Sequence, residues 1–202
     1  MSLVQDEEMI EALAADRTDD PFHEGIARAR VGRSGEPVLL LDQDRSRWDR
    51  LLIARGLAAL ERAERLTDRP GPYTLQAAIA ACHARARSAE DTDWERIVQL
   101  YDALLALAPS PIVRLNRAVA VGMASGPDEA LPLVDALLDE PALRGYHLLP
   151  SVRGDLLAKL GRSEEARAEF EHAASLTENV TERALLVQRA SALGQDGDRA
   201  GT

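Results

Sequence analysis

The stretch DQDRSRWDR, Asp42 to Arg50, gathers the densest ionisable chemistry of this 202-residue chain. Three aspartates (Asp42, Asp44, Asp49) and three arginines (Arg45, Arg47, Arg50) surround Trp48, one of two tryptophans. Carboxylates at this spacing would serve as acid/base groups, as ligands of a divalent cation, or as partners of the arginines. General acid catalysis needs a carboxyl held away from cations so that its pKa rises. Here every aspartate has an arginine within a few positions, which acts in the opposite direction. Cation loops with aspartate at alternate positions also carry a central glycine and a late glutamate, and this stretch has neither. The favoured reading is a structural one. Asp42, Asp44, Arg45, Arg47 and Asp49 form a partly buried ionic clamp with Trp48 packed into the fold, or else the same six residues form a contact surface. A hydrolase working through Asp42–Asp49 is the enzymatic rival.

Other residues capable of chemistry are scattered. The four histidines, His23, His83, His147 and His172, form neither an HExxH pattern nor a His-x-x-x-His pair. No GxSxG elbow or glycine-rich phosphate loop occurs. Cys82 is the only cysteine, so an internal disulfide and a thiolate metal cluster are both ruled out. No catalytic residue, metal or cofactor is therefore assigned. Asn116, Arg117, His83, Tyr146 and His147 are candidates for lining a groove, with inward packing as the alternative for Asn116 and Arg117 and hydrogen bonding at helix seams for the two histidines.

The formal net charge is −10 and the pI is about 4.9. Nucleic-acid surfaces must neutralise phosphates and show a basic excess or stripe. Here the arginines alternate with acids, as in ALERAERLTDR and EEARAEFEHA, the pattern of solvated helix faces. Direct nucleic-acid binding is not expected. No apolar run reaches the roughly 18 residues that span a bilayer. The acidic N-terminus lacks the regions of a signal peptide. The expectation is a cytoplasmic protein without membrane contact.

The elements that position these residues are helical. Apolar residues are 46% of the chain but aromatics only 3%, so the core must be alanine, leucine and valine, which suits close-packed helices. Spacing predicts short helices over 4–15 and 22–30, a brief VLLL strand at 38–41, and a long helix over 46–66. That helix would bury Leu51, Leu52, Ala54, Leu57, Ala58, Leu60 and Ala63. Further helices start at Pro72 and behind Thr92, a capping-box candidate with Glu95, and span 111–124, 127–139, 144–160, 163–176 and 180–193. Short Gly/Pro linkers between them imply a right-handed stack of antiparallel hairpins. The all-α domain would cover 22–195, with a separate segment 1–21 and a disordered tail 196–202.

The stretch LLPSVRGDLLAKLGRSEEARAEFEHAASLTEN resembles one tetratricopeptide repeat, with Gly161 at the turn, Ala166 where two helices touch, then Phe170 and Ala174. Gly126 and Ala130 occupy matching places about 35 residues upstream. In order and spacing, DQDRSRWD, GPYTLQAAIAACHA, TDWERIVQLYDALL, SPIVRLNRAVAV and the final YHLL…GDLLAKLGRSEEARAEF resemble a known family. It is the C-terminal tetratricopeptide-like extension of bacterial extracytoplasmic-function RNA polymerase sigma factors, and the resemblance covers about Phe22 to Leu193. It implies a regulatory module in transcription initiation whose partner is a protein, either sigma-factor domains or the polymerase core. The two promoter-binding domains of such factors have no counterpart here, so promoter recognition is not implied. A generic tetratricopeptide scaffold holding a peptide in its groove is the alternative.

Overall fold

The structure, a computed structural model, describes residues 44–88 and 90–200, with side chains up to residue 194. The helices expected over 4–15 and 22–30, the VLLL strand, His23 and Asp42 lie outside the described residues. Among the described residues all regular structure is helical, with eight α-helices, two short 3-10 turns and no strand. Helices α1 (Arg50–Leu66), α2 (Pro72–Arg85) and α3 (Trp94–Leu107) belong to one compact unit, which ends at Pro109. Helices α4 (Pro111–Ala124), α5 (Pro127–Asp135), α6 (Leu148–Lys159), α7 (Ser163–Leu176) and α8 (Val180–Ala200) form a second, beginning at Ser110.

In the first unit, α1 starts where a carboxylate stops the unwound chain. Asp49 is extended (φ −73°, ψ 96°), and its side chain accepts the N–H groups of Leu51 and Leu52 at 3.0 and 3.1 Å. These are orphan donors of a helix start. The helix therefore begins at Arg50 and not at 46; Arg45–Arg47 wind instead into a 3-10 turn capped by Asp44. Ile53, Gly56 and Leu60 are buried at the spacing of one helix face, with Leu57 half-buried beside them. Leu51, expected on that face, is 62% exposed. Trp48, Ile53 and Leu60 pack with Ala81 of α2, flanked by Ala77, Ala78, Ala80 and Ala84. On α3, the cap is Asp93, which accepts the N–H of Arg96 at 2.9 Å. Thr92, the expected cap, is buried one residue earlier.

The second unit is built around α6. Leu148 to Ser151, Val152 and Gly154 to Leu157 are all buried, so this helix has almost no solvent face. Pro150 is tolerated because it sits in the first turn, where its missing N–H has no intrahelical partner. Arg153 ties α6 to both neighbours, its Nε donating to Asp135 at 2.7 Å and its Nη1 to Glu169 at 2.6 Å. At the other end Gly161 takes φ +75°, which only glycine adopts readily. Arg162 N–H bonds Leu157 O at 2.9 Å and Gly161 N–H bonds Ala158 O at 3.0 Å, the Schellman pattern. Behind that turn Ala166, Phe170 and Ala174 are buried, as is Ala130 behind Gly126 (φ +108°).

Three further helix bounds differ from the spacing-based ones, each for a local reason. After Asp135 the chain tightens into i→i+3 bonds (Leu137 to Val134, Leu138 to Asp135), so α5 ends before 139. Gly145 at φ +79° delays α6 until Leu148. No proline follows Gly194 and Gly197, and α8 continues to Ala200 through the residues expected as tail.

Gly154 is the tightest point of this unit. A Cβ there would lie 2.8 Å from Cε1 and 3.0 Å from Cδ1 of the buried Phe170 ring. Gly154→Ala is expected to lower stability by about 1–3 kcal/mol through overpacking, read from urea unfolding followed by circular dichroism.

Candidate functional site

The charged stretch folds around one guanidinium. Arg45 Nη1 donates to the carbonyls of His83 at 3.1 Å and Ala86 at 3.0 Å, and Nη2 reaches Thr92 Oγ1 at 3.4 Å. Those carbonyls lie at the C-terminal end of α2, where acceptors are left without intrahelical donors and the helix dipole favours a cation. The Arg45 guanidinium also lies over the Trp48 ring, 4.9 Å from its centroid. Trp48 is buried in the α1–α2 core. The anchor thus uses a main-chain acceptor set that the carboxylate-centred clamp did not foresee.

Asp44 and Asp49 act differently from the ionic network expected of them. Asp44 Oδ1 accepts Ser46 N–H at 3.0 Å, and Ser46, ahead of Arg47, holds this exposed carboxyl below its usual range. Asp49 caps α1. Neither carboxylate is paired with a guanidinium among the described residues; both accept from backbone N–H groups. Arg47 points to the surface. Above Trp48, between the 3-10 turn, α1 and the end of α2, lies an open cleft of about 700 Å³. Asp44, Arg45, Arg50, Arg85 and Arg87 contribute its charged wall, and Trp48, Ile53 and Leu57 its apolar part.

His83 lies beneath this anchor. Its ring meets Trp94 edge-on, with centroids 5.2 Å apart and planes at 76°. It is 3% exposed, and neither ring nitrogen has a hydrogen-bond partner among the described residues. Burial, followed by the charge of Arg45, pushes its pKa down to about 3. The imidazole is a neutral packing element rather than a groove donor or the hydrogen-bonded seam residue expected. Next to it, burial and then Asp93 push the Cys82 thiol up, so it is not an activated nucleophile.

The second unit holds a polar seam that spacing alone did not single out. His147, Ser151 and Asp155 recur every four residues along α6. Asp155, 4% exposed, is ion-paired with Arg189 of α8, whose guanidinium stacks 4.1 Å from the Phe170 ring centroid. At the N-cap of α6, His147 Nε2 lies 3.4 Å from Glu182, which also accepts from Thr177 Oγ1 at 2.6 Å and Asn179 Nδ2 at 2.9 Å. The signal available in the sequence was a four-residue repeat of polar residues inside an otherwise apolar helix. Tyr146 is half-buried with its ring 6.1 Å from that of His147. Asn116 is 4% exposed and its Nδ2 has no partner among the described residues, so it packs inward; Arg117 beside it is half-buried. Among the described residues no three His, Cys, Asp or Glu side chains are grouped to hold a metal ion, and no helix is long and apolar enough to cross a membrane.

Residues 2–64 match a family of unknown function, DUF6596. The match takes in the α1 helix, the Asp/Arg/Trp stretch and residues 2–21, which the sigma-factor resemblance leaves out. An uncharacterized protein of Rhizobium meliloti (strain 1021) is 51% identical over 160 residues, 79% of this chain and 37% of that protein. The chain thus spans little more than a third of the length of the curated relative it matches. No solved structure matches.

Two outcomes follow from this geometry. Arg45→Ala strips a charged donor from two carbonyls and is expected to cost about 2–3 kcal/mol in chemical denaturation. Asp44→Ala, at an exposed cap, should cost clearly less, and an equal loss from both would count against Arg45 as the anchor. The second concerns acid. Folded, His83 stays neutral down to about pH 3, while the unfolded chain protonates it near pH 6.5. The unfolded state then binds more protons between those limits, so stability falls with pH by up to about 1.4 kcal/mol per pH unit from this group. His83→Leu should be no less stable at pH 7 and lose stability less steeply below pH 6, because no bonded partner is orphaned.

Proposed function

We propose that the chain is a regulatory protein-interaction module of an RNA polymerase sigma factor, acting in the cytoplasm without catalysis and without touching promoter DNA. The observation that carries the interaction reading is the construction of the Asp/Arg/Trp stretch. Trp48 and Arg45 are anchored from below by the core and by main-chain carbonyls. Asp44, Arg47 and Arg50 are left exposed above them. Such an arrangement gives a rigid charged surface, which suits recognition of a partner more than proton transfer. The link to sigma factors rests on the ordered resemblance of five motifs between about Phe22 and Leu193. The long relative is in keeping with a module that works as part of a larger protein.

The same reading makes the second unit a stack of tetratricopeptide-like hairpins. Support comes from the register: Gly161 and Gly126 at the turns with positive φ, and Ala130, Ala166 and Phe170 buried where two helices meet. The groove alternative loses its first anchor, since Asn116 is buried.

The test is retention of purified components by the immobilised 202-residue chain. The promoter-binding sigma domains or the polymerase core should be held, and Arg47→Glu with Arg50→Glu should abolish retention while the helical circular dichroism is kept. Retention of neither component at concentrations of about 10 µM, a range that still detects transient complexes, would overturn the reading.

A further inference from the structure

The cleft above Trp48 departs from the electrostatics of the rest of the chain. The protein carries a formal net charge of −10, yet the cleft is lined by Arg45, Arg50, Arg85 and Arg87 against one carboxylate, Asp44. Asp44 is engaged by the Ser46 N–H, and Arg45 by the end of α2. Arg50, Arg85 and Arg87 are exposed, and none of the three is in an ion pair among the described residues. Several arginines elsewhere are matched locally, as Arg162 is with Glu165 and Arg153 with Asp135 and Glu169. Three guanidiniums kept near an apolar strip of Ile53 and Leu57 form a site with two demands. It needs carboxylates at its rim and aliphatic groups at its floor.

We infer that this cleft docks an acidic peptide segment of a partner protein, one that alternates carboxylate and aliphatic side chains. Guanidiniums take carboxylates with paired hydrogen bonds, and clusters of them are a recurring means of reading acidic motifs. A cleft of about 700 Å³ accommodates a few side chains of a peptide and is too small for a folded domain. Its open form suits a chain laid across it. Nucleic acid is the less suitable occupant, because the net negative charge of the chain as a whole opposes an extended phosphate backbone that runs beyond the cleft, whereas a short acidic segment meets only the local positive field. The inference deepens the interaction module proposed above and rests on it for the existence of a partner.

The experiment uses the full 202-residue chain and a fluorescein-labelled synthetic peptide of alternating glutamate and leucine, read by anisotropy. The expected result is saturable binding that weakens about tenfold or more when glutamine replaces glutamate, and similarly on raising the salt from low to high ionic strength. The triple variant R50E/R85E/R87E should lose the glutamate peptide and gain a peptide with lysine in its place, an exchange that misfolding cannot produce. Three results would each overturn the inference: equal binding of the glutamine peptide, undiminished binding to the triple variant, or a single-stranded oligonucleotide that displaces the glutamate peptide from the cleft. Retention of polymerase components by the triple variant, with the peptide lost, would sink the cleft as the partner's site and leave the broader functional reading intact. Peptide binding with no retention of any polymerase component would support the cleft and count only against the sigma-factor assignment.

Discussion

The first unit depends on one guanidinium that reaches across the fold. A helix that ends in the protein leaves carbonyls whose desolvation has to be met by some donor. In α2 that donor comes from Arg45, almost forty positions earlier in the chain. By bonding His83 O and Ala86 O while touching Thr92, it joins the segment before α1, the end of α2 and the approach to α3. Trp48 then falls where its indole closes the α1–α2 core beneath the same group. The position of the charged stretch, the buried imidazole and the cleft all follow from that reach.

Much of the helical plan was legible in the sequence because apolar spacing and Gly/Pro punctuation act locally. The limits of α4 and α7 coincide with those read from spacing, since Pro111, Gly126, Gly161 and Ser163 mark their boundaries chemically. The start of α1 was not legible. Three aspartates compete within eight residues, and the choice of Asp49 depends on backbone angles that composition does not carry. The same limit hid the role of Arg45. Charge patterns direct attention to carboxylates, while its actual acceptors are main-chain oxygens, which every residue possesses. Thr92 was singled out correctly as special for the wrong reason, its hydroxyl being turned to Arg45 while Asp93 caps the helix.

The second unit uses polarity in another way. Asp155 and Arg189 are removed from water together, a costly arrangement whose gain is in selectivity more than stability. A pair of this kind penalises any sliding of α8 along α6 by a turn, because a displaced helix leaves a buried charge without its partner. The His147–Glu182 contact lies seven residues earlier on α8, nearly two turns away, and marks the same register a second time. Two polar contacts at different depths therefore fix an alignment that leucine and alanine alone would leave degenerate.

The alanine-rich face between α1 and α2 has a kinetic consequence. Ala77, Ala78, Ala80, Ala81 and Ala84 have no side-chain rotamers to freeze, so docking α1 costs little conformational entropy. They also bury little apolar area, and α1 touches α2 less extensively than α2 touches α3. Trp48 is the largest side chain that release would withdraw, together with Ile53 and Leu60. An opening of α1 that leaves α2 and α3 folded would on this count cost less than global unfolding. The charged stretch is continuous with that segment, so how firmly its exposed side chains are held would be set by how often the indole leaves its socket.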